Sequence, residues 1–164
     1  MGLNDTPNAN RVHIGFFGRR NAGKSSVVNA ITGQDLAVVS EKKGTTTDPV
    51  TKAMELLPLG PVVIIDTPGF DDDESEIGAL RIRRTKRILN QSDVAVLIVD
   101  AAEGLSKYDH QLIAIFSEKK IPYIVVYNKL DLLSHGDMEE KGLYVSAKTG
   151  EGIRALKERL GTLA

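Results

Sequence analysis

Gly18-Arg19-Arg20-Asn21-Ala22-Gly23-Lys24-Ser25 fits the pattern G-x-x-x-x-G-K-S/T, with glycines, a lysine and a hydroxyl at fixed intervals. Glycines let a backbone curl until consecutive N–H groups point at one place. A helix starting there adds its own orphan N–H groups and dipole. Such a place suits phosphate oxygens. Within it the Lys24 ammonium would bridge two phosphoryl groups, and the backbone of Ala22, Gly23 and Ser26 would supply donors. The Ser25 hydroxyl would ligate Mg²⁺, a cation that prefers hard oxygen ligands.

A second group, Asp66-Thr67-Pro68-Gly69, follows a run of Val and Ile. A carboxylate at a strand end beside a phosphate loop can hold Mg²⁺ through water. Gly69 would let a backbone N–H approach the terminal phosphate with no Cβ in the way. Between the two groups lies Lys42-Lys43-Gly44-Thr45-Thr46-Thr47-Asp48, a polar segment. One threonine hydroxyl there could complete the Mg²⁺ shell and let go after hydrolysis. Three adjacent threonines leave the register open on spacing alone.

Asn128-Lys129-Leu130-Asp131 adds a base reader. A carboxylate only accepts hydrogen bonds, so Asp131 suits a base edge with two donors, the guanine N1–H and N2–H₂. Adenine lacks that pair, and a buried carboxylate left unsatisfied discriminates strongly against it. The Lys129 stem would lie over the ring, and Asn128 would tie the loops together. Further on, Ser146-Ala147-Lys148 would complete the base pocket, with the Ala147 N–H donating to the guanine O6. Together these groups read as a site for GTP, not ATP.

Such a site needs a scaffold that brings distant loops to one edge. Apolar runs at Val12–Phe17, Val62–Ile65, Val94–Val99, Ile121–Tyr127 and Leu143–Val145 are apolar at successive positions, as in strands covered on both faces. Helical patterns fill 24–33, 78–91, 107–119 and 151–161, the last with Ile153, Leu156, Leu160 and Leu163 on one stripe. Val50–Leu57 reads as a further strand joined to Val62–Ile65 through Pro58-Leu59-Gly60-Pro61, a link so short that the pair must be antiparallel. The predicted fold is α/β, a doubly wound, mostly parallel six-stranded sheet with one antiparallel strand and helices on both faces. All the loops named then lie at the carboxyl ends of the parallel strands, where such folds bind ligands.

Composition narrows the function further. The chain has 164 residues, which suits one domain, and a net charge of −1, so no global field draws in nucleic acid or anionic lipid. Aromatic residues make up 5% with no tryptophan, which argues against a base-stacking platform and against nucleic acid as a partner. No cysteine is present, excluding disulfides, thiolate catalysis and iron–sulfur ligation by this chain. No run reaches the ~18 apolar residues that span a bilayer, so no membrane is expected and a cytoplasmic setting is. Residues 1–10 form a polar lead-in. Their match to the loose myristoylation pattern lacks the basic cluster that would strengthen an anchor. Residues 11–164 form one domain, read as an excised module of a larger protein. An acidic run at Asp71–Glu76 and a basic run at Arg81–Arg87 read either as solvated faces or as a docking surface. His13, His110 and His135 lack a paired ligand spacing and read as structural.

The motifs, in this order over nearly the whole chain, resemble the Ras-like GTPase domains. Within them the resemblance is to the branch holding the tRNA-modifying MnmE, Era and the septin relatives. That branch has G-R-x-N-x-G-K-S-S in the phosphate loop, matched here from Gly18 to Ser26 with Asn21 included. Its first switch reads G-T-T-R-D, where this chain has Thr47 in place of the arginine, and the alignment makes Thr46 the Mg²⁺-sensing threonine. Ras-type enzymes orient water with a glutamine two positions after the glycine of the second switch. Here Phe70 and Asp71 follow Gly69, so that amide is missing.

The resemblance implies that Asn21 would hold K⁺ where others use an arginine finger, placing positive charge where negative charge develops. Asn21 read alone could also be a loop residue making a local turn hydrogen bond. Lys24, Asn21, Thr46 and Gly69 would then carry catalysis, slow and stimulated by potassium. Gly15–Ser26 and Lys42–Val50 further resemble the GTPase domain of HydF-type FeFe-hydrogenase maturation scaffolds. This implies downstream dimerisation and iron–sulfur domains, hydrogenase maturation proteins and a second copy as partners. The expected function is a GTP-hydrolysing switch in hydrogenase cofactor maturation. The alternatives are a tRNA-modification or ribosome-assembly GTPase of the same branch, and a GTP-sensing scaffold with negligible hydrolysis.

Overall fold

The computed structural model describes residues 11–18, 23–33, 50–56, 59–66, 78–129 and 143–163. Along them run β1 (Val12–Gly18), α1 (Lys24–Thr32), β2 (Val50–Leu56), β3 (Gly60–Asp66) and α2 (Gly78–Asn90). Then come β4 (Val94–Asp100), α3 (Lys107–Glu118), β5 (Tyr123–Asn128), β6 (Leu143–Tyr144) and α4 (Ile153–Leu163). The six strands form one sheet in the order β2-β3-β1-β4-β5-β6. Only β2 runs antiparallel, pairing with β3 from Val50↔Asp66 to Leu56↔Gly60. Every other neighbouring pair is parallel.

The period-2 geometry of a strand explains why these runs are apolar at every position. Val94, Val96 and Ile98 of β4 enter one core with Ile14 and Phe16 of β1, covered by α1 through Val27, Val28 and Ile31 and by α4 through Leu156 and Leu160. Ala95, Leu97 and Val99 enter a second core on the opposite face with Phe17 and Ile65, covered by α2 through Ile88 and Leu89 and by α3 through Leu112 and Phe116. Helices therefore lie on both faces, as the unbroken apolar runs require. Each fully buried Ile, Leu or Phe contributes about 1.5–3 kcal/mol, so the two cores hold the sheet rigid beneath its loops.

Three elements start two residues away from the sequence reading. β3 starts at Gly60, not Val62, because its antiparallel partner reaches Gly60 through Leu56. β5 starts at Tyr123, after Pro122, which has no N–H for a ladder; its carbonyl still accepts the Ala95 N–H at 2.9 Å. α4 starts at Ile153, since Gly150 and Gly152 take left-handed conformations at φ 85° and 81°. A side chain at Gly152 would also strike the Tyr144 carbonyl. No helix of the described residues is long and apolar enough to cross a membrane.

Candidate functional site

The parallel strands β1, β3, β4 and β5 all deliver their carboxyl ends to one edge of the sheet, and the sequence motifs begin there. At the end of β1, Gly18 has φ 138°, and a Cβ on it would collide with the Ile98 carbonyl of β4. Glycine is therefore required where the chain leaves the sheet. The chain returns at Gly23, which caps α1 in a left-handed conformation, φ 83° and ψ 32°. The cap makes no side-chain hydrogen bond, and the first turn carries no acidic residue. The opening N–H groups of α1 thus face no competing carboxylate from their own turn, which leaves the positive end of the helix suited to an anion.

Lys24 and Asp66 meet across this edge. Lys24 Nζ lies 3.0 Å from Asp66 Oδ1, with the side chains only 4% and 6% exposed. Two charges at that depth are costly unless neutralised by each other or by ligands. Sequence reading assigned the ammonium to phosphate and the carboxylate to Mg²⁺, and the structure places them against one another. Charge balance reconciles the two. An entering phosphate and divalent cation can exchange one ion pair for two, ammonium with phosphate and carboxylate with cation. Ser25 follows, half-buried, and Ser26 is exposed.

Asn128 links the phosphate loop to the base loops. It ends β5, is 3% exposed, and its Oδ1 accepts the Ala147 N–H at 3.0 Å. Its Nδ2 lies so close to Gly23 that a Cβ there would collide with it. One amide side chain therefore touches the start of α1 and the turn after β6. Ala147 N–H, expected to donate to a guanine O6, donates to Asn128 in the structure, so a base carbonyl would have to share or displace that bond. Ser146 is fully buried and organises the turn: its Oγ accepts the Thr149 N–H at 3.2 Å, and its carbonyl accepts the Gly150 N–H at 2.8 Å. Lys148 is exposed.

Lys129 carries an unusual backbone, φ 70°, a left-handed conformation that costs a residue with a side chain about 1–2 kcal/mol. Its Nζ lies 3.0 Å from Asp100 Oδ2 at the end of β4. Burial pushes the Asp100 carboxyl up, but hydrogen bonds from Lys129 and from the Ala102 N–H outweigh it and hold the group below its ordinary range. Asp100 was missed in the sequence. No local signal could have found it: the β4–β5 register, which sets Asp100 opposite Asn128, one residue before Lys129, appears only in the fold.

Asn21, Ala22, Thr46, Gly69 and Asp131 lie outside the described residues, as do Thr45, Thr47, the acidic run and His135. Of the basic run, Arg83 and Arg87 are exposed on α2. His13 lies in β1, with Nδ1 2.9 Å from the Arg11 carbonyl, and His110 lies in α3.

A family model described as a 50S ribosome-binding GTPase matches residues 13–129, well over half of the chain. The chain belongs to this family. It is a Ras-like P-loop GTPase domain, related to the MnmE and Era branch. It is 34% identical over 158 residues to the tRNA modification GTPase MnmE of Dechloromonas aromatica, covering 93% of this chain and 35% of that protein. MnmE of Thiobacillus denitrificans is 36% identical over 149 residues, 88% of this chain and 32% of that protein. The chain thus spans about a third of the length of these curated relatives.

Among solved structures, a point variant of Aquifex aeolicus Era bound to GDP and AlF4 superposes with a TM-score of 0.71 at 24% identity, over 92% of this chain and 56% of that one. A probable GTP-binding protein, engB, gives a TM-score of 0.68 at 26% identity, over 93% and 98%. For this GTPase domain, the doubly wound sheet expected from the sequence is the fold observed.

Proposed function

We propose that the domain is the GTP-hydrolysing switch of a larger protein, with the nucleotide along the carboxyl edge of β1, β3 and β5. The observation that carries this reading is the convergence of two contacts on that edge. Lys24 meets Asp66, and Asn128 joins Gly23 to Ala147. In the proposal Lys24 and the N–H groups opening α1 hold the phosphates, Asp131 reads the guanine edge, and Lys129 covers the base.

Mg²⁺ fits the donor set, because the Ser25 hydroxyl and the buried Asp66 carboxylate are hard oxygens. Among the described residues no three His, Cys, Asp or Glu cluster, so the ion would share its shell with water and phosphate, with Thr46 added from the first switch. When bound, Mg²⁺ supplies positive charge to the phosphate oxygens. Ser25 and Asp66 would hold the ion, and the Lys24 ammonium would add its own positive charge toward the phosphates.

Hydrolysis is proposed to be slow and stimulated by potassium through Asn21. GTP turnover at matched ionic strength tests this. The rate should be higher in KCl than in NaCl, and Asn21→Ala should erase the difference. Equal rates in the two salts for the unmodified chain remove Asn21 from the mechanism. Single-turnover rates indistinguishable from uncatalysed hydrolysis favour instead a sensor that signals by binding alone.

Two settings are supported by different observations. The names of the MnmE relatives support tRNA modification, and they do so over nearly all of this chain. The segments Gly15–Ser26 and Lys42–Val50 support hydrogenase maturation, with iron–sulfur domains elsewhere in the protein. The comparisons favour the first. Purifying the full-length protein separates them: tRNA bound to it supports modification, and an iron–sulfur chromophore supports maturation.

A further inference from the structure

Asp100 belongs to none of the motifs that define the site, yet it is tied firmly into the same edge of the sheet. Its side chain is 11% exposed. One carboxylate oxygen, Oδ1, accepts the Ala102 N–H at 2.8 Å, and the other, Oδ2, holds Lys129 Nζ at 3.0 Å. Its own carbonyl accepts the Gly104 N–H at 2.8 Å, closing the turn after β4. The Ala101 N–H donates to the Asn128 carbonyl at 2.8 Å, which locks this turn to the end of β5. The carboxylate thus accepts one backbone N–H, and two further backbone bonds fix the turn that carries it, before it touches the lysine.

Lys129 is held at its other end by its backbone. Among the described residues, only Lys120 and Lys129 have positive φ without being glycine. Lys120 follows the end of α3, an ordinary place for that conformation. Lys129 follows Asn128 inside the base-reading motif, where strain is retained only when the surroundings determine it. A lysine stem has four rotatable carbons and about 2 kcal/mol of rotamer entropy to lose when it is ordered. Fixing both ends removes much of that entropy before any ligand arrives, which is preorganisation.

We infer that Asp100 is a positioning residue for guanine recognition, holding the Lys129 stem in place as one wall of the base pocket. It acts through Lys129 and does not itself touch nucleotide. The inference rests on the GTP-binding reading and deepens it.

The test is a double-mutant cycle in the 164-residue chain, with Asp100→Asn and Lys129→Met, read by GDP titration in Mg²⁺. Asp100→Asn keeps the Oδ1 acceptor for Ala102 and turns an NH₂ donor toward Lys129 Nζ, which can only donate, so the bond to the lysine is lost. It should weaken GDP binding about tenfold, the scale of one charge-assisted hydrogen bond. KM for GTP should rise by the same factor while kcat stays within about twofold, since the phosphate end is untouched. Lys129→Met keeps the stem and removes the ammonium. Adding Asp100→Asn to it should then cost nothing further.

If Asp100→Asn binds GDP as the unmodified chain does, or weakens it equally with and without Lys129→Met, the inference is overturned. If Asp100→Asn fails to fold, Lys129→Met alone decides: a GDP affinity unchanged from the unmodified chain overturns it as well. Failure of the underlying reading looks different, because the unmodified chain would then bind no GDP at all.

Discussion

Replacing Lys24 by methionine tests the buried pair from the side of stability, before any nucleotide is added. Methionine keeps an unbranched stem of similar volume, so packing changes little. What is lost is the ammonium, and the Asp66 carboxylate, 6% exposed, stays buried without its counter-charge at 3.0 Å. Removing one partner of a buried pair costs about 3–5 kcal/mol. A domain of this length shifts its midpoint by roughly 2–4 °C per kcal/mol, so Lys24→Met should melt roughly 6–20 °C lower.

The assay is urea and thermal denaturation in EDTA without nucleotide, on Lys24→Met, Asp66→Asn and the double variant. Removing both charges avoids stranding either, so the double variant should be more stable than the sum of the single losses allows. If Lys24→Met unfolds within about 0.5 kcal/mol of the unmodified chain, the pair is not what balances the charge at this edge. Strict additivity of the two single variants would refute the reasoning in the same way.

Two further outcomes follow from the same geometry. Gly23→Ala puts a Cβ onto a residue at φ 83° and against the Asn128 amide. It should cost about 1–3 kcal/mol in urea melts and weaken GDP binding, whereas Gly33→Ala, at φ 67° with open space around it, should cost stability alone. The second outcome concerns acid. The Asp100 carboxyl is held below its ordinary range in the fold, so the unfolded chain takes up that proton first. Its contribution is complete at neutral pH, falls as pH drops below about 4, and is gone below the folded value. The stability gap between the unmodified chain and Asp100→Asn should therefore shrink between pH 5 and 2, a trend read from melts across that range.

Much of the fold was legible because the sheet is buried on both faces. Val94–Val99 is apolar at six successive positions, and only a strand between two cores needs that. The antiparallel pair was legible from the Pro58–Pro61 link, too short for a crossover helix. Strand ends were less so, since Gly60 enters β3 only because β2 is long enough to reach it. At the site, the phosphate and base motifs announced themselves through fixed spacings. The contacts among them did not. Asn128 against Gly23, and Asp100 on Lys129, join residues far apart in the chain, and the β4–β5 register that aligns the second pair leaves no local pattern. The pairing of Lys24 with Asp66 was hidden for another reason: spacing shows neither that the start of α1 adjoins the end of β3 nor that the two opposite charges there neutralise each other.

The most direct measurement is an equilibrium titration of the unmodified chain with GDP and with ADP, in parallel, in Mg²⁺ and potassium. A pocket that grips phosphates with Lys24 and reads the base with Asp131 should bind GDP at least about a hundredfold more tightly than ADP. Comparable affinity for the two, or no binding of either, would contradict it.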